Sequence, residues 1–154
     1  MPRRVFLAPL TLAASAYLLD QGSKYFLSKH LHRPLFLIPR YVGLVPHHNQ
    51  GIIFGLCRIP FLALFSTLFA LLVAWLTLTF LKEYPGSRSL RIGIGLIWGG
   101  VAGNLTDRLL SGAVFDFLLL FPIPLFNLAD LFLTAGALLI LFPVFFVERQ
   151  RIRV

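Results

Sequence analysis

Acidic side chains are scarce in this sequence. There are six, against fourteen lysines and arginines, and the formal net charge is +8. There is one cysteine, Cys57, which excludes an intramolecular disulfide and any CxxC metal pair. It is read as a small apolar residue. Charged residues of both signs make up only 13%, about half of the roughly 25% usual in a soluble domain. No GxSxG, HExxH or phosphate-binding loop is present. His47 and His48 are adjacent, so they point in different directions and lack metal-ligand spacing.

What is there is apolar. Hydrophobic residues make up 58% and the mean hydropathy is +0.84. That excess is too large for a soluble core and points to a membrane protein. The basic residues fall in short clusters beside apolar runs. This is the pattern of topology signals and lipid headgroup contacts, not of a solvated nucleic-acid-binding face.

Four segments are long and apolar enough to span a bilayer, at about 5–27, 61–81, 92–110 and 126–147. The expected fold is an all-α membrane protein with four transmembrane helices. The length suits a single domain over 1–154. Arg3 and Arg4, then Lys82, Arg88 and Arg91, then Arg149, Arg151 and Arg153 fall on one side of the four spans. The positive-inside rule makes that side the cytoplasm, with both termini there. The opposite loops are about 28–60 and 111–125. The first holds the β-prone stretch LFLIPRYVGLV, so short strands are expected there. The second carries FPIP, whose prolines bar a regular helix. A competing reading takes MPRR, the apolar run and ASA (14–16) as a cleaved signal peptide, leaving three spans.

The polar residues answer that alternative. Asp20 lies 16 residues beyond Arg4, and Asp107 lies 16 beyond Arg91, about 24 Å along a helix in each case. Asp130 lies 18 residues before Glu148, about 27 Å. Three helices therefore bring an aspartate to one level, just inside the outer edge of a hydrocarbon core about 30 Å thick. Asn104, Asp107 and Arg108 share one side of the third helix, Asn127 and Asp130 one side of the fourth, and Asp20 and Lys24 are i, i+4 on the first. Ionisable groups at such depth face a bundle interior or a wet cavity. Gly95, Gly99 and Gly103 repeat every four residues and are read as a close-packing face.

Asp116 lies in the 111–125 loop, which can fold back over the start of the fourth helix. Two carboxylates in one low-dielectric site cannot both ionise easily, so the pair can work on a water as general base and general acid. That is aspartyl protease chemistry. Spacing alone does not choose between Asp116 and Asp107 as the partner of Asp130. The structural alternative makes Asp107–Arg108 and Asp20–Lys24 ion pairs and Asp130 a hydrogen-bonded buried acid. A functional alternative is a small transporter whose acids carry protons or cations. It is disfavoured because the cytoplasmic halves of the four helices lack ionisable groups.

The motifs DQGSK (20–24), NQGIIFG (49–55), GGVAGNLTDRL (99–109), GAVFDF (112–117) and FNLAD (126–130), in this order, resemble the bacterial lipoprotein signal peptidase (signal peptidase II) family over nearly the whole chain. The resemblance implies an aspartic endopeptidase of the bacterial inner membrane. It implies a substrate, a diacylglyceryl-modified prolipoprotein, cut just before the lipidated cysteine near the extracytoplasmic face. It implies Asp116 and Asp130 as the catalytic pair, with Asn104, Arg108, Asn127 and Asp107 orienting the pair or the substrate backbone. Asn49 and Gly51 fall in the substrate-cradling loop. Asp20 and Lys24 form a structural or substrate-positioning motif. Neither metal nor cofactor is called for, and the expected state is a monomer in lipid with no nucleic-acid partner. Gln50, Ile52, Ile53, Thr106 and Phe115 depart from the usual residues and bear on pocket shape rather than reaction type.

Overall fold

The structure is a computed structural model. It describes residues 4–51, 62–83 and 87–151, with side chains described at 7–51, 64–81 and 87–141. Cys57, Arg58 and the IIFG of the second motif lie outside the described residues, as do Arg3, Arg153 and the side chains of Arg4, Lys82, Glu148, Arg149 and Arg151.

The chain is mostly helical with one small antiparallel sheet. Its order is α1 (Arg4–His30), β1 (Leu35–Ile38), β2 (Val42–Asn49), α2 (Leu62–Glu83), α3 (Arg88–Ser111), β3 (Val114–Leu120), β4 (Ile123–Phe126) and α4 (Leu128–Arg151). The four helices begin and end within a few residues of the apolar segments, because polar groups continue each helix past its apolar run. The strands lie side by side as β1-β2-β3-β4. β1 and β2 fall in the β-prone stretch. β3 and β4 occupy the segment expected as a plain loop, and FPIP forms the turn and strand that join them, across a cis Phe121–Pro122 bond. β3 reads VFDFLLL, nearly all β-branched, aromatic or aliphatic. An aspartate at its centre hides that pattern from a sequence reading.

Among the described residues one stretch, Leu64–Leu81 of α2, is long and apolar enough to cross a membrane by composition, and Leu128–Leu141 is a shorter apolar run. The other helices carry the polar residues of interest here.

α3 is the central helix and packs on α1, α4 and α2. Glycine makes this possible on two faces. A Cβ at Gly95 would lie 2.8 Å from Pro9 O, and one at Gly99 2.8 Å from Ala13 O, both on α1. A Cβ at Gly93 would lie 2.7 Å from Gly136 O, and one at Gly100 2.6 Å from Ala129 O, both on α4. The four-residue ladder is therefore the α1 face, and a second set serves α4. α3 ends at Gly112, whose φ of 73° is left-handed and whose N–H donates to Arg108 O at 3.2 Å. The chain then turns at once into β3.

Candidate active site

α3, α4 and β3 converge where α3 ends and α4 begins. Asn127 precedes the first turn of α4. Its side-chain Oδ1 accepts from Asp130 N at 3.1 Å, while its own N–H donates to Asp130 Oδ2 at 3.1 Å. This reciprocal pair is a capping box built from Asn and Asp. It fixes the orientation of both side chains. Asn127 Nδ2 is then aimed at Asp116 Oδ1, 2.7 Å away, and at Asn104 Oδ1, 3.2 Å away. Asn104 Nδ2 donates to Asp130 Oδ1 at 2.9 Å. One fully buried amide thus touches the backbone of one aspartate's turn and the carboxylate of the other.

Asp116 comes from the centre of β3 and is 2% exposed. The β2–β3 register sets His47 opposite Asp116 and Asn49 opposite Val114. Asn49 is therefore the diagonal neighbour of Asp116, within reach across the sheet. Its Nδ2 donates to Asp116 Oδ2 at 2.9 Å, and its Oδ1 accepts from Gly51 N at 2.8 Å. Both amides that serve Asp116 are pinned through their oxygens, so both carboxylate oxygens receive N–H donors. Burial, the largest effect, raises the Asp116 carboxyl from its ordinary 3.8 to about 6. The bond from Asn49 opposes it, the charge of Asp130 adds to it, and the bond from Asn127 and the charge of Lys24 oppose it.

α1 closes the far side. Asp20 Oδ1 accepts from Ala129 N at 2.9 Å, and Asp20 Oδ2 lies 2.8 Å from Lys24 Nζ. Lys24 also donates to Asn104 Oδ1 at 3.0 Å and lies 2.8 Å from Asp107 Oδ2. The Asp107 contact is an ion pair by distance, without the alignment of a hydrogen bond. Three acceptors thus surround an ammonium with three protons. Gln21 Nε2 bonds Asp107 Oδ1 at 3.0 Å and Gly103 O at 3.3 Å.

Of the two ion pairs in the structural alternative, Asp107–Arg108 is replaced and Asp20–Lys24 is present. Asp107 is paired with Lys24 rather than with its neighbour Arg108, because consecutive helical residues do not face each other. The Asp20–Lys24 pair is present but shared with α3. Arg108 lies in the field of Asp130, Asp116 and Asp107. Among the described residues it forms no ion pair, and its buried Nε has no hydrogen-bond partner. Gln21 stands inside DQGSK but was given no role in the sequence. The place of His47 beside Asp116 follows from strand register alone, which its adjacency to His48 in the sequence does not reveal. His48 lies on the other face, its ring 5.1 Å from that of Phe115.

Beside Asp130 is a cavity of about 380 Å³. Phe65, Ser66 and Phe69 of α2, Val101 and Leu105 of α3 and Leu133 of α4 form its walls. Asn104, Arg108 and Asp130 form its polar end. An apolar segment can enter beside α2 and present a polar backbone to Asn104, Arg108 and Asp130.

The family model for signal peptidase (SPase) II matches residues 12–146. The chain belongs to the signal peptidase II family. It is thus a peptidase, a hydrolase of the lipoprotein-processing class. It is 36% identical over 149 residues to the lipoprotein signal peptidase of Symbiobacterium thermophilum, covering 92% of this chain and 96% of that one. It is 35% identical over 155 residues to the lipoprotein signal peptidase of Acinetobacter baumannii, covering 92% and 85%. A solved bacterial membrane enzyme superposes with a TM-score of 0.78 at 25% identity, over 89% of this chain and 87% of that one.

Proposed function

We propose that this signal peptidase II family member is an intramembrane aspartyl endopeptidase that removes the signal peptide of a diacylglyceryl-modified prolipoprotein, cutting just before the lipidated cysteine. Asp116 and Asp130 are the catalytic pair. The observation that carries this is Asn127, which bonds Asp116 through its amide and Asp130 through its backbone. The two carboxyls are bridged by Asn127 and Asn104, Asp116 buried and Asp130 half-buried at the cavity, and burial holds the Asp116 carboxyl near 6. One proton between them lets one carboxyl take a proton from water while the other protonates the leaving amine. Asn104 and Asn49 hold the pair in place, and Gly51 holds Asn49. Asp107, Asp20 and Lys24 form the charged support behind it. Arg108, whose buried Nε has no hydrogen-bond partner among the described residues, lies at the cavity's polar end and donates to a carbonyl of the substrate backbone.

The same reading makes 1–154 one membrane domain with four spans, both termini cytoplasmic and the site near the outer face of the bacterial inner membrane, working as a monomer in lipid. Two observations favour it. Leu64–Leu81 is apolar all round yet only 17% buried, which suits lipid rather than a soluble core. The Asp–Lys–Asn network lies where α1, α3 and α4 bring their polar residues to one level. A signal peptide is a short apolar helix, and buried acyl chain contributes about 0.8 kcal/mol per CH₂. A cavity with an apolar flank and a polar end suits both.

The test is cleavage of a diacylglyceryl-modified prolipoprotein by the purified full chain in detergent. Wild type should cut before the modified cysteine. Asp116→Asn and Asp130→Asn, with unchanged thermal unfolding, should each lose at least about 10³-fold in kcat/KM. Normal cleavage by both variants would sink the dyad assignment.

A further inference from the structure

α1 and α2 each pack on α3 but barely meet one another. They leave an open groove of about 500 Å³. Leu10, Ala13 and Ala14 of α1 and Leu78 of α2 form its sides, and Ile94 and Trp98 of α3 form its floor. Trp98 Nε1 donates to Thr77 Oγ1 at 3.1 Å, so the indole is fixed across the floor with its polar atom satisfied. What the groove offers a ligand is almost entirely hydrocarbon.

The α3 wall continues into charge. Arg88, Arg91, Ile94, Trp98 and Ala102 follow one another at i+3 or i+4, so they form one stripe along α3. Helical side chains lean toward the N-terminus, which directs the two guanidinium groups away from the groove and toward its mouth. Arg88 is exposed and Arg91 half-buried, and among the described residues neither forms an ion pair. From Arg91 to Ala102 the helix rises about 16 Å, close to half of a hydrocarbon core about 30 Å thick. An apolar trough of one leaflet's depth thus ends at two cations that form no ion pair among the described residues.

The geometry points to a binding site for an anionic phospholipid, with one acyl chain in the α1–α2 groove and its phosphate on Arg88 and Arg91. It lies on the cytoplasmic half of the chain, away from the dyad, and rests on the membrane orientation given under the proposed function. Charge complementarity selects an acidic headgroup, since each nearby cation favours anionic lipid. A lipid seated there fills the space that direct α1–α2 packing would otherwise occupy. It thereby holds α1, and with it Lys24, against α3.

Trp75 and Trp98 are the two tryptophans, and Trp75 is exposed on α2 outside the groove. The full chain carrying Trp75→Phe, in phosphatidylcholine nanodiscs, leaves Trp98 as the only indole. A small fraction of phosphatidylglycerol with brominated acyl chains should quench it saturably. The effect should be at least several-fold stronger than that of the same fraction of brominated phosphatidylcholine. Arg88→Gln with Arg91→Gln should bring the two lipids level, and Ala14→Phe, which fills the groove, should remove the saturable part. Equal quenching by both lipids in the parent, or a preference that survives the double substitution, would overturn the site. The complementary Trp98→Phe protein reports on Trp75. If Trp75 is quenched by neither lipid, it is the membrane reading that fails. Quenching of Trp75 without a lipid preference at Trp98 removes the site alone.

Discussion

Asn127 and Asp130 cap each other at the start of α4, side chain to backbone in both directions, at 3.1 Å each. The first turn of that helix and one carboxylate of the proposed dyad are therefore the same piece of geometry. Helix capping and amide donation can be separated by substitution. Asn127→Ser keeps a good cap residue but loses the amide that reaches Asp116 and Asn104. It should leave thermal unfolding within about 1 kcal/mol of wild type and lower kcat by about 10²–10³-fold, as loss of an oriented donor does. Asn127→Ala should lower both. Full activity in the serine variant would remove Asn127 from the mechanism.

The dyad's proton inventory predicts a pH profile. Asp116 lies near 6, raised by burial first and by the charge of Asp130 as well. Free enzyme that needs one proton on the pair should show a bell-shaped kcat/KM whose alkaline limb falls tenfold per unit above about 6 and whose acid limb falls once the base carboxyl is protonated as well. The stability sign is the same. A carboxyl raised on folding adds stability that is complete below its unfolded value and lost as pH rises through about 6. Wild type should therefore lose unfolding temperature from pH 4 to pH 7 relative to Asp116→Leu. A flat profile across pH 6 by both measures would contradict the shared proton.

Lys24 is 5% exposed and stands between Asp20, Asp107 and Asn104. Lys24→Met removes the cation and leaves two carboxylates beside each other. Breaking a buried pair this way costs about 3–5 kcal/mol. Thermal unfolding in detergent should show that loss, and Asp20→Asn combined with Lys24→Met should recover part of it. An unchanged midpoint for Lys24→Met would mean that the pair is solvated.

Glycines in α1 and α3 should respond in opposite directions. Gly99→Val places new atoms against Ala13 and Ala16, and overpacking should cost about 1–3 kcal/mol. Gly22→Ala meets nothing within 4 Å and removes a helix-interior glycine, a gain of about 1 kcal/mol. Equal shifts in unfolding temperature would show that close approach is not what Gly99 provides.

The helices were legible because apolar length and basic flanks mark them directly. Depth arithmetic from Arg4, Arg91 and Glu148 brought Asp20, Asp107 and Asp130 to one level, and the structure connects them through Lys24 and Asn104. Three things were not legible. The strands around Asp116 were hidden because a central aspartate breaks the apolar pattern of β3. The pairing of Asp107 with Lys24 rather than Arg108 depends on which way α3 is turned toward α1, which spacing within one helix does not fix. The neighbours of Asp116, His47 and Asn49, depend on register between strands more than 60 residues apart in sequence. The choice of Asp116 over Asp107 came from family motifs and not from the spacing of charges.

The bond from Ala129 N to Asp20 Oδ1 joins the last helix to the first. A chain made from its N-terminus completes α1, with Asp20, long before Ala129 exists. Until then the aspartate has Lys24, one turn away, and Gln21 beside it, both on Oδ2, while its Oδ1 waits for a donor. A chain truncated before α4 keeps Lys24 with Asp20 and the α3 acceptors Asn104 and Asp107 but leaves Asp20 Oδ1 without its backbone donor, so the last helix supplies the latch that closes the first onto the site.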